Sequence, residues 1–207
     1  MNLKEVAAMA LCQRCGNENS YIHLTSDSQT ERLCLRCYNS LMAGEFGVEA
    51  ESYPEGMTIR DGKGTAHHFE IRKRLDPLHI FMEAMEKKQG GYDFKVMGDL
   101  YTDQGELLLQ LIAKAEREMA ESYVEEGTFP DGQRCHSIRS GRLAGRVGWN
   151  PAGGDVPLLA IDGKSYTWDE FGKMLLHFEG FQRKLEMLDL FEEIEWNNSK
   201  QKKEQGQ

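Results

Sequence analysis

Four cysteines stand in two pairs, Cys12-Gln-Arg-Cys15 and Cys34-Leu-Arg-Cys37, with eighteen residues between the pairs. Each Cys-x-x-Cys turn can bring two sulfurs to one ion, and four thiolates complete the tetrahedral shell of a structural zinc. Gly16 follows the first pair and permits the tight backbone that such a knuckle needs. The same thiols would make two disulfides in a secreted protein. However, Met1 to Leu11 carries Lys4 and Glu5 and lacks the apolar run of a secretory signal. The expectation is therefore one structural zinc held by Cys12, Cys15, Cys34 and Cys37. His23 is read as a hairpin side chain, since four thiols already fill the site.

Other residues whose types suggest chemistry lie further along. Residues 132–154 hold Arg134, Arg139, Arg142, Arg146 and His136 and no acid, in a chain of net charge −9. Arginines beside accessible glycine backbone suit phosphate or carboxylate groups, so Arg139, Arg142 and Arg146 are candidate anion-binding residues. The same pattern also fits an exposed strand face carrying Arg opposite acidic helices. Cys135-His136 suggests a thiol with its base, but adjacent residues seldom meet in that geometry. His67-His68 suggests a metal pair, but neighbours on a strand point to opposite faces. Asp99, Asp103 and Glu106 gather near a helix start, where capping accounts for two of them. No phosphate-binding loop, dinucleotide fingerprint, nucleophile elbow or His-Glu-x-x-His pattern occurs. No catalytic set is assigned, and the balance leans away from an enzyme.

The elements around the cysteines follow from local pattern. Residues 20–33 alternate as a hairpin about Ser26 to Gln29, and Tyr38 to Ala43 form a short helix that Gly44 ends. Knuckle, hairpin and helix in this order resemble a treble-clef finger, and the cysteine spacing is similar to the GATA type. The resemblance covers residues 10–44. GATA-type DNA binders carry a basic tail after the last cysteine, whereas Glu45, Glu49, Glu51 and Glu55 follow here. Lys4, Arg14, Arg32 and Arg36 are balanced by Glu5, Glu18, Asp27 and Glu31. Duplex binding rests on phosphate neutralisation, so the finger is not expected to bind duplex DNA.

The predicted organisation is a zinc finger over 1–44, an acidic Gly-rich linker over 45–65, an α+β domain over 66–196 and a disordered tail over 197–207. A short helix is expected over residues 1–10. His67, Phe69 and Ile71 share one face of a strand. Residues 75–89 fit two patterns. Asp76-Pro77 can open a helix with Leu78, Phe81, Met82 and Met85 on one side, or it can be a turn before a returning strand over 79–86. Tyr92 to Met97 reads as a strand. Asp103 and Glu106 form a capping box for a helix with Leu108, Leu111, Ile112, Ala115 and Met119 on its stripe, stopped by Gly127. Residues 127–141 read as a loop and Leu143 to Trp149 as a strand. Asp162-Gly163 marks a two-residue hairpin turn. Thr167 with Glu170 caps a last helix reaching Leu188, with Gly180 inside it. The fold class is α+β: a small N-terminal treble clef, then a mostly antiparallel sheet with two amphipathic helices on one face.

Residues Phe69-Glu-Ile-Arg, Gly98-Asp-Leu and the run Leu159 to Leu175 resemble an uncharacterised bacterial family that carries an optional zinc finger. The resemblance spans residues 66–190, implies a strand over 78–86, and implies no activity. No segment has the eighteen or so apolar residues of a membrane span. Cysteines in zinc spacing, with Cys135 left over, suit a reducing cytoplasm. Two function classes follow. One is a non-enzymatic adaptor that binds an unidentified protein partner. The other is an anion or nucleic-acid binder, or an enzyme on a phosphorylated substrate, acting through residues 134–146.

Overall fold

A computed structural model of the chain describes residues 11–17, 20–26, 29–128, 132–153 and 155–196. The helix expected over 1–10 and the tail over 197–207 lie outside the described residues. Strands β1 (Ser20–Ser26) and β2 (Gln29–Cys34) form the expected antiparallel hairpin. Helix α1 (Leu35–Phe46) begins directly after Cys34 and ends at Gly47, whose φ of 69° is left-handed. Gly44 does not end it. A glycine inside a helix costs only about 1 kcal/mol, and the flanking Met42 and Ala43 pack on the main core.

Strand β3 (Gly56–Arg60) falls inside the stretch expected to be a linker. It opens an antiparallel four-stranded sheet with β4 (Ala66–Leu75), β5 (His79–Glu86) and β6 (Asp93–Asp99), in the order β3-β4-β5-β6. Residues 79–86 are therefore strand, and Asp76 N–H donates to His79 O across the turn. Pairing on both sides of β5 overrides a pattern that by itself slightly favours a helix.

One face of the sheet is apolar, with Phe69, Ile71, Leu75, Ile80, Met82, Ala84 and Phe94 buried. The other carries Arg72, Glu83 and Lys95 in cross-strand ion pairs and Glu70 paired to Arg72 along β4, as expected for a sheet with one wet side. Helix α2 (Gln104–Ala120) covers the apolar face with Leu107, Leu111, Ala115 and Met119. Fully burying a leucine contributes roughly 1.5–3 kcal/mol. The buried stripe is thus shifted from the expected one, since Leu108 and Ile112 are only half-buried. Asp103 Oδ1 accepts from Glu106 N–H at 2.8 Å and caps the helix.

Helix α2 stops at Ala120 and not at Gly127, because tertiary bonds take over its end. Gly62 N–H donates to Met119 O at 2.9 Å. The amides of Tyr123 and Val124 turn away to the carboxylate of Asp162, at 2.9 and 2.8 Å. Where a loop was expected, β7 (Val124–Thr128) and β8 (Arg134–Ile138) pair antiparallel.

Strand β9 (Arg146–Gly148) is shorter than expected. It edges a three-stranded sheet with β10 (Leu158–Ile161) and β11 (Lys164–Tyr166). Asp162 and Gly163 have φ of 50° and 69°, as a type I′ turn requires. Helix α3 (Trp168–Leu175) carries the expected capping box, with both Thr167–Glu170 bonds formed. It does not join α2 over the first sheet. Its Met174 packs with Val124, Ile161 and Tyr166 in a second core.

Residues beyond a 3₁₀ turn at Leu176–Phe178 leave the helical path, and Leu185 and Leu188 are exposed. Gly180 has a left-handed φ of 85°. Downstream, buried Lys114 donates its Nζ to Leu190 O at 2.8 Å and Glu192 O at 2.9 Å. The segment runs beside α2 as a strap, with Arg117 paired to Glu193 and Phe191 5.5 Å from Phe81 of β5.

Candidate metal centre

The four sulfurs of Cys12, Cys15, Cys34 and Cys37 all lie within 4.8 Å of one another, so together they can hold a metal ion. Each pair is positioned by its own backbone device. The first knuckle closes through Gly16 N–H to Cys12 O and Cys12 N–H to Asn17 O, both at 2.8 Å, with Gly16 at φ 74°. It is laid along β2 by Gln13 N–H to Arg32 O at 3.0 Å and Arg32 N–H to Gln13 Oε1 at 2.5 Å. Arg14 and Glu31 add a two-pronged ion pair at 2.8 and 3.0 Å. The second pair straddles the start of α1, with Cys34 at its cap and Cys37 in its first turn.

Cys12 and Cys34 are buried beside Leu33, Ile22 and Leu41, and Cys15 is exposed. Burial works against the Cys12 thiolate, but amides of Cys34, Cys15 and Arg14 hydrogen-bond its sulfur and hold its pKa down to about 6. Burial and the three neighbouring sulfurs push the Cys37 thiol up, and burial does the same at Cys34. Four thiolates at this spacing repel one another, and a bound cation removes that conflict. No other group of three or more Cys, His, Asp or Glu among the described residues is placed to hold a metal.

The centre is joined to the sheet. Asn39, 3% exposed, sits two residues after Cys37 and bonds the edge of β4 beyond the end of β3. Its Nδ2 donates to Lys73 O at 2.6 Å and its Oδ1 accepts from Leu75 N–H at 3.0 Å. Ala43 enters the core of the first sheet. The few shared contacts implied by a Gly-rich linker are therefore not what the chain has. Residues 49–53 are held in turn by Lys73, which is 1% exposed. Its Nζ donates to Glu51 O at 2.5 Å and to Gln104 Oε1, and stands 5.0 Å from the Tyr53 ring. Burial lowers its pKa, offset in part by Glu51. Neither Asn39, Lys73 nor Gln104 was singled out by sequence. The available signal for Lys73 was its parity with Phe69, Ile71 and Leu75 on β4.

The remaining candidates separate. Arg139 pairs with Glu125 at 3.2 Å, Arg142 lies 5.5 Å from the Trp196 ring, and Arg146 reaches Gly91 O at 3.4 Å and Asp93 at 3.8 Å. Arg142 is outside the short β9, so it does not share a regular strand face with Arg146. Cys135 faces Gly127 across the β7–β8 pair, while His136 packs edge-on to Tyr166 at 5.4 Å. His67 is buried between Glu86 (3.0 Å) and Asp61 (3.3 Å), while His68 bonds Thr58 Oγ1 at 2.8 Å on the exposed side. The two histidines thus point apart, as strand alternation requires. No helix among the described residues is long and apolar enough to cross a membrane.

Three family models match the chain, each described as a domain of unknown function: DUF7685 over residues 11–49, DUF7686 over 51–120 and DUF7713 over 123–192. Their limits fall between α1 and β3 and between α2 and β7. No curated protein and no solved structure matches the chain.

Proposed function

We propose that Cys12, Cys15, Cys34 and Cys37 hold one structural zinc ion in a treble-clef finger, and that the chain is a non-enzymatic adaptor binding other proteins in the cytoplasm. Cys15 Sγ and Cys34 Sγ are 3.6 Å apart. Sulfurs on a tetrahedral thiolate zinc stand about 3.8 Å apart, from a Zn–S bond of about 2.3 Å. Knuckle, hairpin and a helix starting at the second pair support the treble-clef reading. Four protein ligands leave no open position for substrate, so the metal's role is to fix α1 on the sheet.

The observation that carries the adaptor reading is the band of exposed apolar side chains on the C-terminal segment. Leu176, Phe181, Leu185 and Met187 are each at least 71% exposed. Four such side chains within twelve residues supply the exposed apolar surface that an interaction site needs. The alternative, an anion or nucleic-acid site over residues 134–146, requires a shared patch of arginines, and Arg139, Arg142 and Arg146 each engage a different partner.

The test has two parts. Metal analysis of protein purified without added zinc should give one zinc per chain; a value near zero in folded, reduced protein sinks the metal reading. Affinity capture should compare the full chain with a Phe181→Ser, Leu185→Ser, Met187→Ser variant. A partner held by the parent and lost by an equally stable variant supports the adaptor. Equal capture by both removes it.

A further inference from the structure

The three-stranded sheet has two unlike faces. Register places Val147, Leu159 and Tyr166 side by side on one, and Leu159 and Tyr166 pack into the second core. On the other, Arg146 lies across from Ala160, which lies across from Ser165, while Gly148 lies across from Leu158. Three of these five residues, Gly148, Ala160 and Ser165, are among the smallest, so the face is sunken where a sheet usually presents bulk. Gln89, Gly90, Trp149 and Pro151 complete its lining. The resulting trough has a volume of about 290 Å³, at the small end of ligand pockets, which start near 300 Å³.

The polar groups in this trough are unusually placed. Arg146 supplies a guanidinium whose pairing with Asp93 is long, at 3.8 Å. Ser165 Oγ is buried and has no hydrogen-bond partner. Buried hydroxyls are normally satisfied; this one is covered by the backbone of Gly90, where a Cβ would meet it at 2.3 Å. Trp149 is 82% exposed. Its indole, which lines the trough together with Gly148 and Ala160, offers a flat and largely uncovered apolar surface.

We infer that this trough, formed by Arg146, Gly148, Trp149, Ala160 and Ser165, is a binding site for a small ligand carrying one flat aromatic ring and one anionic group. The ring stacks on Trp149 over Gly148 and Ala160. The phosphate or carboxylate takes the planar fork of Arg146, which suits such oxygens in a two-pronged bond. The site depends neither on the metal nor on the adaptor reading, since it uses neither the cysteines nor the C-terminal segment.

Calorimetry and tryptophan emission of the full chain, titrated separately with adenosine monophosphate, indole-3-acetate, adenosine and inorganic phosphate, test it. Binding is expected for one or both of the first two, which separates a phosphate from a carboxylate ligand. Adenosine and phosphate alone should each bind roughly tenfold or more weakly, because each lacks half of the recognition. Arg146→Lys keeps the charge and loses the fork, and should weaken binding roughly tenfold. Ala160→Leu fills the floor and should abolish binding. Trp149→Ala removes an exposed side chain that packs in no core, and should weaken binding without a change in melting temperature. If neither ring-bearing anion binds at millimolar concentration, or if binding is equal in the parent and in Trp149→Ala, the site is refuted.

Discussion

The side-chain amide of Asn39 completes the hydrogen-bond ladder of Leu75, accepting from its N–H at 3.0 Å where strand β3 has already ended. The same amide donates to Lys73 O at 2.6 Å. One side chain thus stands in for a strand, and it belongs to the helix that Cys34 caps and that carries Cys37. An open strand edge is a liability that proteins cover, and here the cover is the cysteine-bearing helix.

Asn39→Ala leaves a buried N–H and a buried C=O without partners. Each orphaned buried group costs about 1–3 kcal/mol, so the variant should lose roughly 2–4 kcal/mol in urea unfolding. Asn39→Asp keeps the acceptor for Leu75 but sets a carboxylate against Lys73 O, and should be no better. A loss below about 0.5 kcal/mol, the usual size for a surface change, would mean that the edge is not held through Asn39.

The same connection couples the metal centre to the sheet. Chelation of the bound ion should loosen α1, because metal binding supplies much of the folding free energy of such a site. Hydrogen exchange should then accelerate at the Leu75 amide more than at Ile71, whose N–H bonds Glu55 O instead. Cys34→Ser should reproduce the effect without chelator. Unchanged Leu75 exchange in metal-free protein would show the two units to be uncoupled.

Some of this was legible in the sequence and some was not, for physical reasons. Ligand chemistry is local, so the spacing of Cys12, Cys15, Cys34 and Cys37 sufficed to bring out the cluster. Thr167 with Glu170, and Asp162-Gly163, are likewise short-range devices whose geometry their own residues dictate. Residues 79–86 satisfied two periodicities, and only pairing with β4 and β6 decided between them. The end of α2 is set by Gly62 and Asp162, each roughly 40 or more residues from the segment it intercepts, and no local stop signal encodes that. The helix expected through Leu188 has the right periodicity, yet α3 ends at Leu175 and Gly180 takes a left-handed φ of 85°. The arginines of residues 134–146 are close in sequence but bond to Glu125, Gly91 and Asp93 on other elements.

Lys114 donates to Leu190 O and Glu192 O and should therefore be what keeps the C-terminal strap in place. Its Nζ also donates to Lys95 O at 3.1 Å, so one buried ammonium gathers three carbonyls. Lys114→Met preserves the length and apolar stem but removes every donor. Exchange at residues 190–193 should rise by an order of magnitude or more, since losing even one hydrogen bond to a charged donor, at about 1.5–3 kcal/mol, is worth tenfold or more. The core amides of β5 should change far less. Equal acceleration at β5 would place Lys114 in global stability and not in holding the strap.

Glu118 provides a pH test on the same helix. Its Oε1 is buried without a hydrogen-bond partner. Burial pushes its carboxyl up from the ordinary value of 4.5, and Glu193 adds to the shift, while Lys114 and Arg117 oppose it. Between 4.5 and the raised folded value the native state binds more protons than the unfolded chain. Stability from this group is thus fully present below 4.5 and is lost as pH rises through the folded value. Glu118→Gln supplies a permanently neutral side chain of the same shape. It should be more stable than the parent at pH 7, and the gap should narrow as pH falls toward 4.5. The raised value requires that order. A variant less stable than the parent at pH 7, or a gap that widens on acidification, would show that attraction to Lys114 and Arg117 outweighs burial at this position.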